Sequence, residues 1–194
     1  MLKLGGILPA VVTPVNQEEC FDRGAMAALF KRIYDAGCDG VYVCGQTGEG
    51  LQQTTGQRMR VAEAAVELSP AGRQVIIHIG AASTREAVAL ARHAGQCGAT
   101  AVSSLPPAMA LSFGEIREYY RAIAEASSVP LLVYYFSPSS GAISHLDQLL
   151  ELCALPNVAG LKFTDSDFYK LAELARSGAV VFNGSDEMLV AGLL

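Results

Sequence analysis

The 194 residues carry a formal net charge of −5, and Arg and Lys are scattered rather than clustered, which argues against nucleic acid or an anionic membrane as partner. Apolar residues make up 51% and charged residues 17%, so the chain is neither disordered nor dominated by surface, and residues 1–194 are long enough for one domain with a substantial core. Five cysteines, an odd number with no CxxC, fit free thiols in a reducing cytoplasm.

Lys3 is followed by Gly5-Gly6 and Pro9 rather than by a long apolar run, so no signal peptide is expected. No stretch approaches the roughly 18 apolar residues of a membrane span. One unit then recurs: a short apolar strand, a polar or Gly-rich turn, and an amphipathic helix. The first strand is expected near residues 7–12, ended by Thr13-Pro14, and its helix from about 22 to 36, with Asp22 as N-cap and Gly37 as stop. Residues 40–44 make the next strand and run into Gly45-Gln46-Thr47-Gly48-Glu49-Gly50, before a helix over 55–68 that stops ahead of Pro70. A strand at 75–79 leads to a helix begun by Ser83-Thr84. A strand at 101–105 is broken by Pro106-Pro107 and followed by a helix over 113–126. Three more units pair strands 131–136, 158–163 and 180–183 with helices at 144–153, 168–176 and from about 186 onward.

Strict β-α alternation with short apolar strands implies a parallel sheet. There is no Gly-x-Gly-x-x-Gly after the first strand, which weighs against a dinucleotide-binding fold. Glycines and polar residues gather at the C-terminal ends of the strands, as in a (β/α)8 TIM barrel. Seven strands are expected here, and a complete barrel takes about 250 residues. The expectation is therefore a barrel lacking strand eight, truncated after strand seven, with two open sheet edges.

Lys162 stands near the C-terminal end of the short apolar strand 158–163, ahead of the polar run Thr164-Asp165-Ser166-Asp167. A strand flanked by helices is usually buried on both faces, so an ammonium there must find partners, reach water or lose its proton. An amine with a depressed pKa attacks carbonyl carbon; the alternative is a lysine that snorkels into solvent. In Tyr134-Tyr135, alternation turns one phenol toward the barrel axis, where it could shuttle a proton, and packs the other against helices. Gly45-Gln46-Thr47-Gly48-Glu49 could cradle a carboxylate or phosphate, or could be a plain βα turn. Gly184-Ser185-Asp186-Glu187 could accept hydrogen bonds from a polyhydroxylated substrate, and equally suits a helix N-terminus. His78 reads as a satisfied buried histidine; His93 and His145 lie on helices, and no three-ligand spacing points to a metal. Neither a nucleophile elbow nor a P-loop occurs.

Gly45-x-Thr47-Gly48-Glu49, Tyr134 and Gly160-Leu161-Lys162 fall on the strands, and in the order, that make the chain resemble the N-acetylneuraminate lyase and dihydrodipicolinate synthase superfamily. That resemblance covers essentially the whole chain. It implies a (β/α)8 barrel with a C-terminal helical extension that is absent from these 194 residues, commonly a homotetramer, and class I aldolase chemistry with no metal or added cofactor. By resemblance Lys162 forms the Schiff base with a 2-keto acid, Tyr134 shuttles the proton, and the segment Gln46, Thr47, Gly48 holds the keto-acid carboxylate. Thr164, Gly184, Asp186 and Glu187 resemble the lyase positions that contact the sugar chain. The synthases carry an arginine after the strand-five tyrosine; here Ser137-Pro138-Ser139-Ser140-Gly141 has none. Gln46 replaces the usual Ser or Thr, and Pro107-Ala108 lies where many members place an aromatic residue, so the hydroxyl relay to the phenol departs from the pattern.

The implied reaction is cleavage of N-acetylneuraminate or a related 2-keto-3-deoxy sugar acid to pyruvate and an aldehyde, with a small keto acid or sugar acid as partner. Two alternatives stand beside it: a synthase or dehydratase using the same imine, and an inactive binding or regulatory form.

Overall fold

The computed structural model describes residues 4–193. Six parallel strands, β1 (Gly40–Val43), β2 (Gln74–His78), β3 (Ala101–Ser104), β4 (Leu131–Phe136), β5 (Val158–Thr164) and β6 (Val180–Asn183), pair in chain order. The helices between them are α2 (Thr55–Leu68), α3 (Thr84–Cys97), α4 (Phe113–Ala126), α5 (Leu146–Cys153) and α6 (Phe168–Arg176), with α1 (Arg23–Asp35) ahead of β1 and the short α7 (Leu189–Leu193) after β6. The sheet curls into part of a TIM barrel with its helices outside.

Two helix starts follow the capping residues seen in the sequence. Asp22 Oδ1 accepts from the Ala25 N–H at 2.9 Å, and Ser83 Oγ accepts from the Glu86 N–H at 3.3 Å. Thr54 with Gln57 and Ser112 with Glu115 close reciprocal capping boxes on α2 and α4. The expected helix over 144–153 begins two residues later, at Leu146.

One expected strand does not form as such. Residues 7–11 run parallel to β1 through the hydrogen bonds Tyr42 N–H to Pro9 O (2.9 Å) and Val11 N–H to Tyr42 O (3.0 Å), but only the Ala10–Tyr42 bridge is regular. Pro9 has no N–H to offer a ladder, so the segment lies against the sheet edge as a near-strand. Six strands and one bridge thus stand where seven strands were expected.

Alternation sends the strands' side chains to two layers. Val41, Val43, Val75, Ile77, Val102, Leu131, Val133, Leu161 and Phe163 face the helices and pack on Val61, Leu90, Ile123, Leu149 and Leu171. Tyr42, Ile76, Ala101, Leu132 and Tyr134 form a second cluster on the concave face, joined by the partly buried Leu4, Leu8 and Phe182.

A register shift in β5 decides which layer receives the lysine. Leu131 pairs with Val158 but Leu132 pairs with Gly160, so Ala159 is an extra residue. From there Tyr134 pairs with Lys162 and Tyr135 with Phe163. Without the extra residue Lys162 would lie opposite Tyr135 and be driven into the helix layer. Gly160 permits the shift: its φ is +152°, and a Cβ there would collide with the Val180 carbonyl oxygen.

Candidate active site

Lys162 rises from β5 on the concave face between two phenol rings. Its Nζ lies 4.2 Å from the Tyr134 ring centroid and 4.3 Å from that of Tyr42. The rings attract the ammonium through their quadrupoles, yet they are apolar walls that strip it of water. Burial wins: it pushes the Lys162 pKa down to about 8, and the Asp186 carboxylate opposes that shift only in part. No carboxylate pairs with Nζ in an ion bridge among the described residues. The arrangement holds an amine that exchanges its proton near neutral pH, at the C-terminal mouth of a parallel sheet.

The groups around it have fixed roles. Tyr134 is 3% exposed, and burial raises its phenol above the usual range. Thr164 Oγ1 is itself buried and makes no hydrogen bond in this structure, so it is a free polar atom beside both the phenol and the lysine. Gly184 covers it: a Cβ at Gly184 would overlap Thr164 Oγ1 and lie 3.1 Å from Lys162 Cε. The Gly184 N–H donates to Phe163 O at 2.7 Å, which fastens this turn to the end of β5.

His78 lies behind the tyrosines, edge-on to Tyr134 with ring centroids 6.0 Å apart. Its Nε2 accepts from the Leu105 N–H at 3.1 Å, which leaves Nδ1 to donate to Cys44 O at 3.0 Å. Burial, with Arg58 and Lys162 nearby, lowers its pKa to about 3, so it stays neutral and structural. That agrees with its reading as a satisfied buried histidine. Arg58 is 3% exposed and caps the same region, donating to His78 O and Gly80 O at 2.8 Å each.

The residues expected at the site divide into two groups. Lys162, Tyr134, Thr164 and Gly184 converge, and Asp186 is close enough for its charge to act on Lys162. Glu187 is exposed on the 3-10 turn Asp186–Met188 and has no ion-pair partner among the described residues. Gln46 and Thr47 are exposed on the turn after β1, with no side-chain hydrogen bond among the described residues, and Gly48 is buried beneath them. That turn is braced from below: Thr13 Oγ1 and Gln53 Nε2 both donate to Gly48 O at 2.7 Å. Cys44 and Glu49, at its two ends, hold left-handed φ values of +57° and +51°, an uncommon conformation for residues with a Cβ. It rises from the same end of the sheet as Lys162 but does not touch the amine.

Tyr42 escaped the sequence reading. Its phenol donates to Ser103 Oγ at 3.1 Å, and its ring forms the second wall of the lysine slot. The available signal was its place: one aromatic residue with a polar tip in the aliphatic strand Val41-Tyr42-Val43, in phase with Tyr134. Tyr135, its neighbour on the opposite face, stacks on Phe163 at 5.2 Å in the helix layer.

Comparison with known proteins accords with this geometry. The chain is 36% identical over 194 residues to the N-acetylneuraminate lyase of Rhizobium meliloti (strain 1021), covering 98% of this chain and 64% of that protein. The chain thus spans less than two thirds of that relative's length. In structure it resembles the N-acetylneuraminate lyase (sialic acid aldolase) of Aliivibrio salmonicida, with a TM-score of 0.92 at 30% identity over 100% of this chain and 67% of that one. It also resembles a catalytic lysine mutant of the Ruminococcus gnavus sialic acid aldolase, with a TM-score of 0.90 at 26% identity over 96% of this chain and 63% of that one. The model of the dihydrodipicolinate synthetase family matches residues 3–194, and with a barrel-type parallel sheet and a half-buried lysine at its mouth this chain belongs to that family.

Proposed function

We propose that this chain carries the Schiff-base centre of a class I lyase that cleaves N-acetylneuraminate or a related 2-keto-3-deoxy sugar acid. The observation that carries the reading is the Lys162 amine, held between the Tyr42 and Tyr134 rings with its pKa lowered to about 8. About a tenth of such an amine is unprotonated at pH 7, against a few parts in ten thousand for an ordinary lysine. The neutral amine attacks the C2 carbonyl, and the carbinolamine loses water as Tyr134 gives its proton to the departing hydroxyl, which leaves a protonated imine beside a Tyr134 phenolate. That imine accepts the electron pair of the breaking C3–C4 bond while the C4 hydroxyl proton passes to Tyr134; the resulting enamine is protonated and hydrolysed to pyruvate. The aldehyde leaves from the other half.

Thr164 Oγ1, free of partners, suits a hydrogen bond to the substrate hydroxyl or to the phenol. The Gln46-Thr47-Gly48 turn is assigned the keto-acid carboxylate, and Asp186 and Glu187 the polyol chain. The segment Ser137–Ser139 after β4 brings no arginine for a second carboxylate, which favours the lyase over the synthase reaction. The keto acid or sugar acid is the partner, no cofactor enters, and the homotetramer and cytoplasmic setting implied by the resemblance belong to the same reading. No helix among the described residues is long and apolar enough to cross a membrane.

The test is borohydride reduction in the presence of pyruvate, with peptide mapping. One pyruvyl adduct on Lys162, absent from Lys162→Arg, is the expected result. Labelling that persists in the Arg variant removes Lys162 from the role.

A further inference from the structure

A second cluster lies on the helical surface, away from the lysine slot. His93 and Cys97 are one turn apart on α3 and therefore share a face, and α2 packs beside them with Glu63. Glu63 Oε1 is 2.9 Å from His93 Nε2, Cys97 Sγ is 3.6 Å from His93 Nε2, and one donor atom from each of the three lies within 4.8 Å of the others. A tetrahedral zinc ion with bonds near 2.0 Å to N and O and 2.3 Å to S holds N and O about 3.3 Å apart and N and S about 3.6 Å apart. The His93–Cys97 pair already stands at that spacing, Glu63 and His93 need part by only a few tenths of an ångström to admit the ion, and Glu63 and Cys97 lie within 4.8 Å of each other.

Two further features fit a cation. Cys97 is the last residue of α3, so the negative end of that helix's dipole lies at the cluster. Glu67 follows Glu63 by one turn on α2; it now bonds Arg23 at 2.9 Å, and its carboxylate or a water can supply a fourth ligand. The burial also suits binding from solvent: the His93 side chain is 19% exposed and that of Glu63 50%.

We propose that Glu63, His93 and Cys97 form a binding site for a borderline-soft divalent cation of the zinc class, clamping α2 to α3. On binding, the Cys97 thiol releases its proton to solvent, the Nε2 proton now shared with Glu63 is exchanged through solvent for one on Nδ1 so that the neutral ring binds through Nε2, and the Glu63 carboxylate exchanges its bond to the ring for a bond to the metal. The site would act as a structural clip. Cys97 is followed by the turn into β3, so the clip lies toward the N-terminal ends of the strands, whereas Lys162 stands near the C-terminal end of β5. It is independent of the imine chemistry. The sequence reading found no three-ligand spacing because only His93 and Cys97 are close in sequence; Glu63 arrives through helix packing.

The full chain, stripped with chelator, is titrated with Co2+ while the thiolate-to-cobalt charge-transfer absorption is followed, and Zn2+ is then added to displace it. The wild type and the control Cys20→Ser should bind alike, and Cys97→Ser and His93→Gln should each weaken binding on the order of a hundredfold or more. In parallel, Zn2+ should protect Cys97 of the wild type from alkylation, read cysteine by cysteine by mass spectrometry, which requires no variant to fold. A wild type without the absorption band, a band that survives Cys97→Ser or His93→Gln, or a Cys97 alkylated equally with and without Zn2+ overturns the proposal.

Discussion

The two faces of the sheet are made by the same strands and do opposite work. Toward the helices, β5 places Leu161 and Phe163, both fully buried among hydrocarbon and the stacked Tyr135 ring. Toward the barrel axis the same strand places Lys162, which meets Tyr42, Tyr134 and the unpartnered Thr164 hydroxyl. The helix-side layer is buried and continuous from Val11 to Leu174. The axial cluster is smaller, and it mixes held polar groups, Tyr42 on Ser103 and His78 between Cys44 and Leu105, with the unpartnered Thr164 Oγ1. Adjacent residues therefore serve stability on one side and the proposed imine chemistry on the other, and substitutions one position apart should separate the two.

The largest effect is expected on the helix side. Phe163→Ala leaves a cavity against Tyr135 and should cost about 3–5 kcal/mol, read as a lowered urea midpoint with an unchanged slope. A loss below about 1 kcal/mol would mean that the layer collapses onto the gap and that the contrast between faces is weak. Next comes the hinge between the faces. Gly160→Ala forces a Cβ into the Val180 carbonyl at a φ of +152° and should cost about 2–4 kcal/mol. Because the bulge sets which way Lys162 points, the surviving folded protein should also lose pyruvate trapping. Retained trapping at wild-type stability would show that the register does not depend on that glycine.

Much of this was legible in the sequence. The α/β repeat, the helix starts at Asp22 and Ser83, and the ends of α2, α4 and α6 follow from local chemistry, which a linear reading sees. What it missed is tertiary. Residues 7–12 have the apolar pattern of a strand, but Pro9 lacks the donor that the ladder needs. Lys162 and Tyr134 were paired through family motifs, whereas the reason they meet is the extra residue at Ala159, which periodicity does not reveal. Tyr42 looked like one more strand residue until its ring was found beside Nζ. Glu63 was invisible as a partner of His93 for the same reason: thirty residues of chain separate them.

The smallest expected effect is a gain. Lys162 serves the proposed reaction at a cost to the fold, since the native slot disfavours the ammonium and lowers its pKa to about 8, whereas in the unfolded chain it returns to the ordinary lysine value of 10.5. Below about pH 8 both states carry the proton, so the whole penalty is present. Between about 8 and 10.5 the unfolded state binds more protons than the native state, so wild-type stability contributed by this group rises with pH until the penalty is gone. Lys162→Met keeps a flexible side chain of similar length between the rings and removes the charge. It should therefore abolish imine trapping and yet stabilise the chain by about 1–2 kcal/mol at pH 7. That advantage should shrink as the pH climbs from about 8 toward 10.5. Urea melts of the two proteins across that range measure the difference directly. A Met variant that is less stable at pH 7, or a gain that does not change with pH, would mean that the ring faces and Asp186 compensate the ammonium in full and that the axial face carries no strain for function.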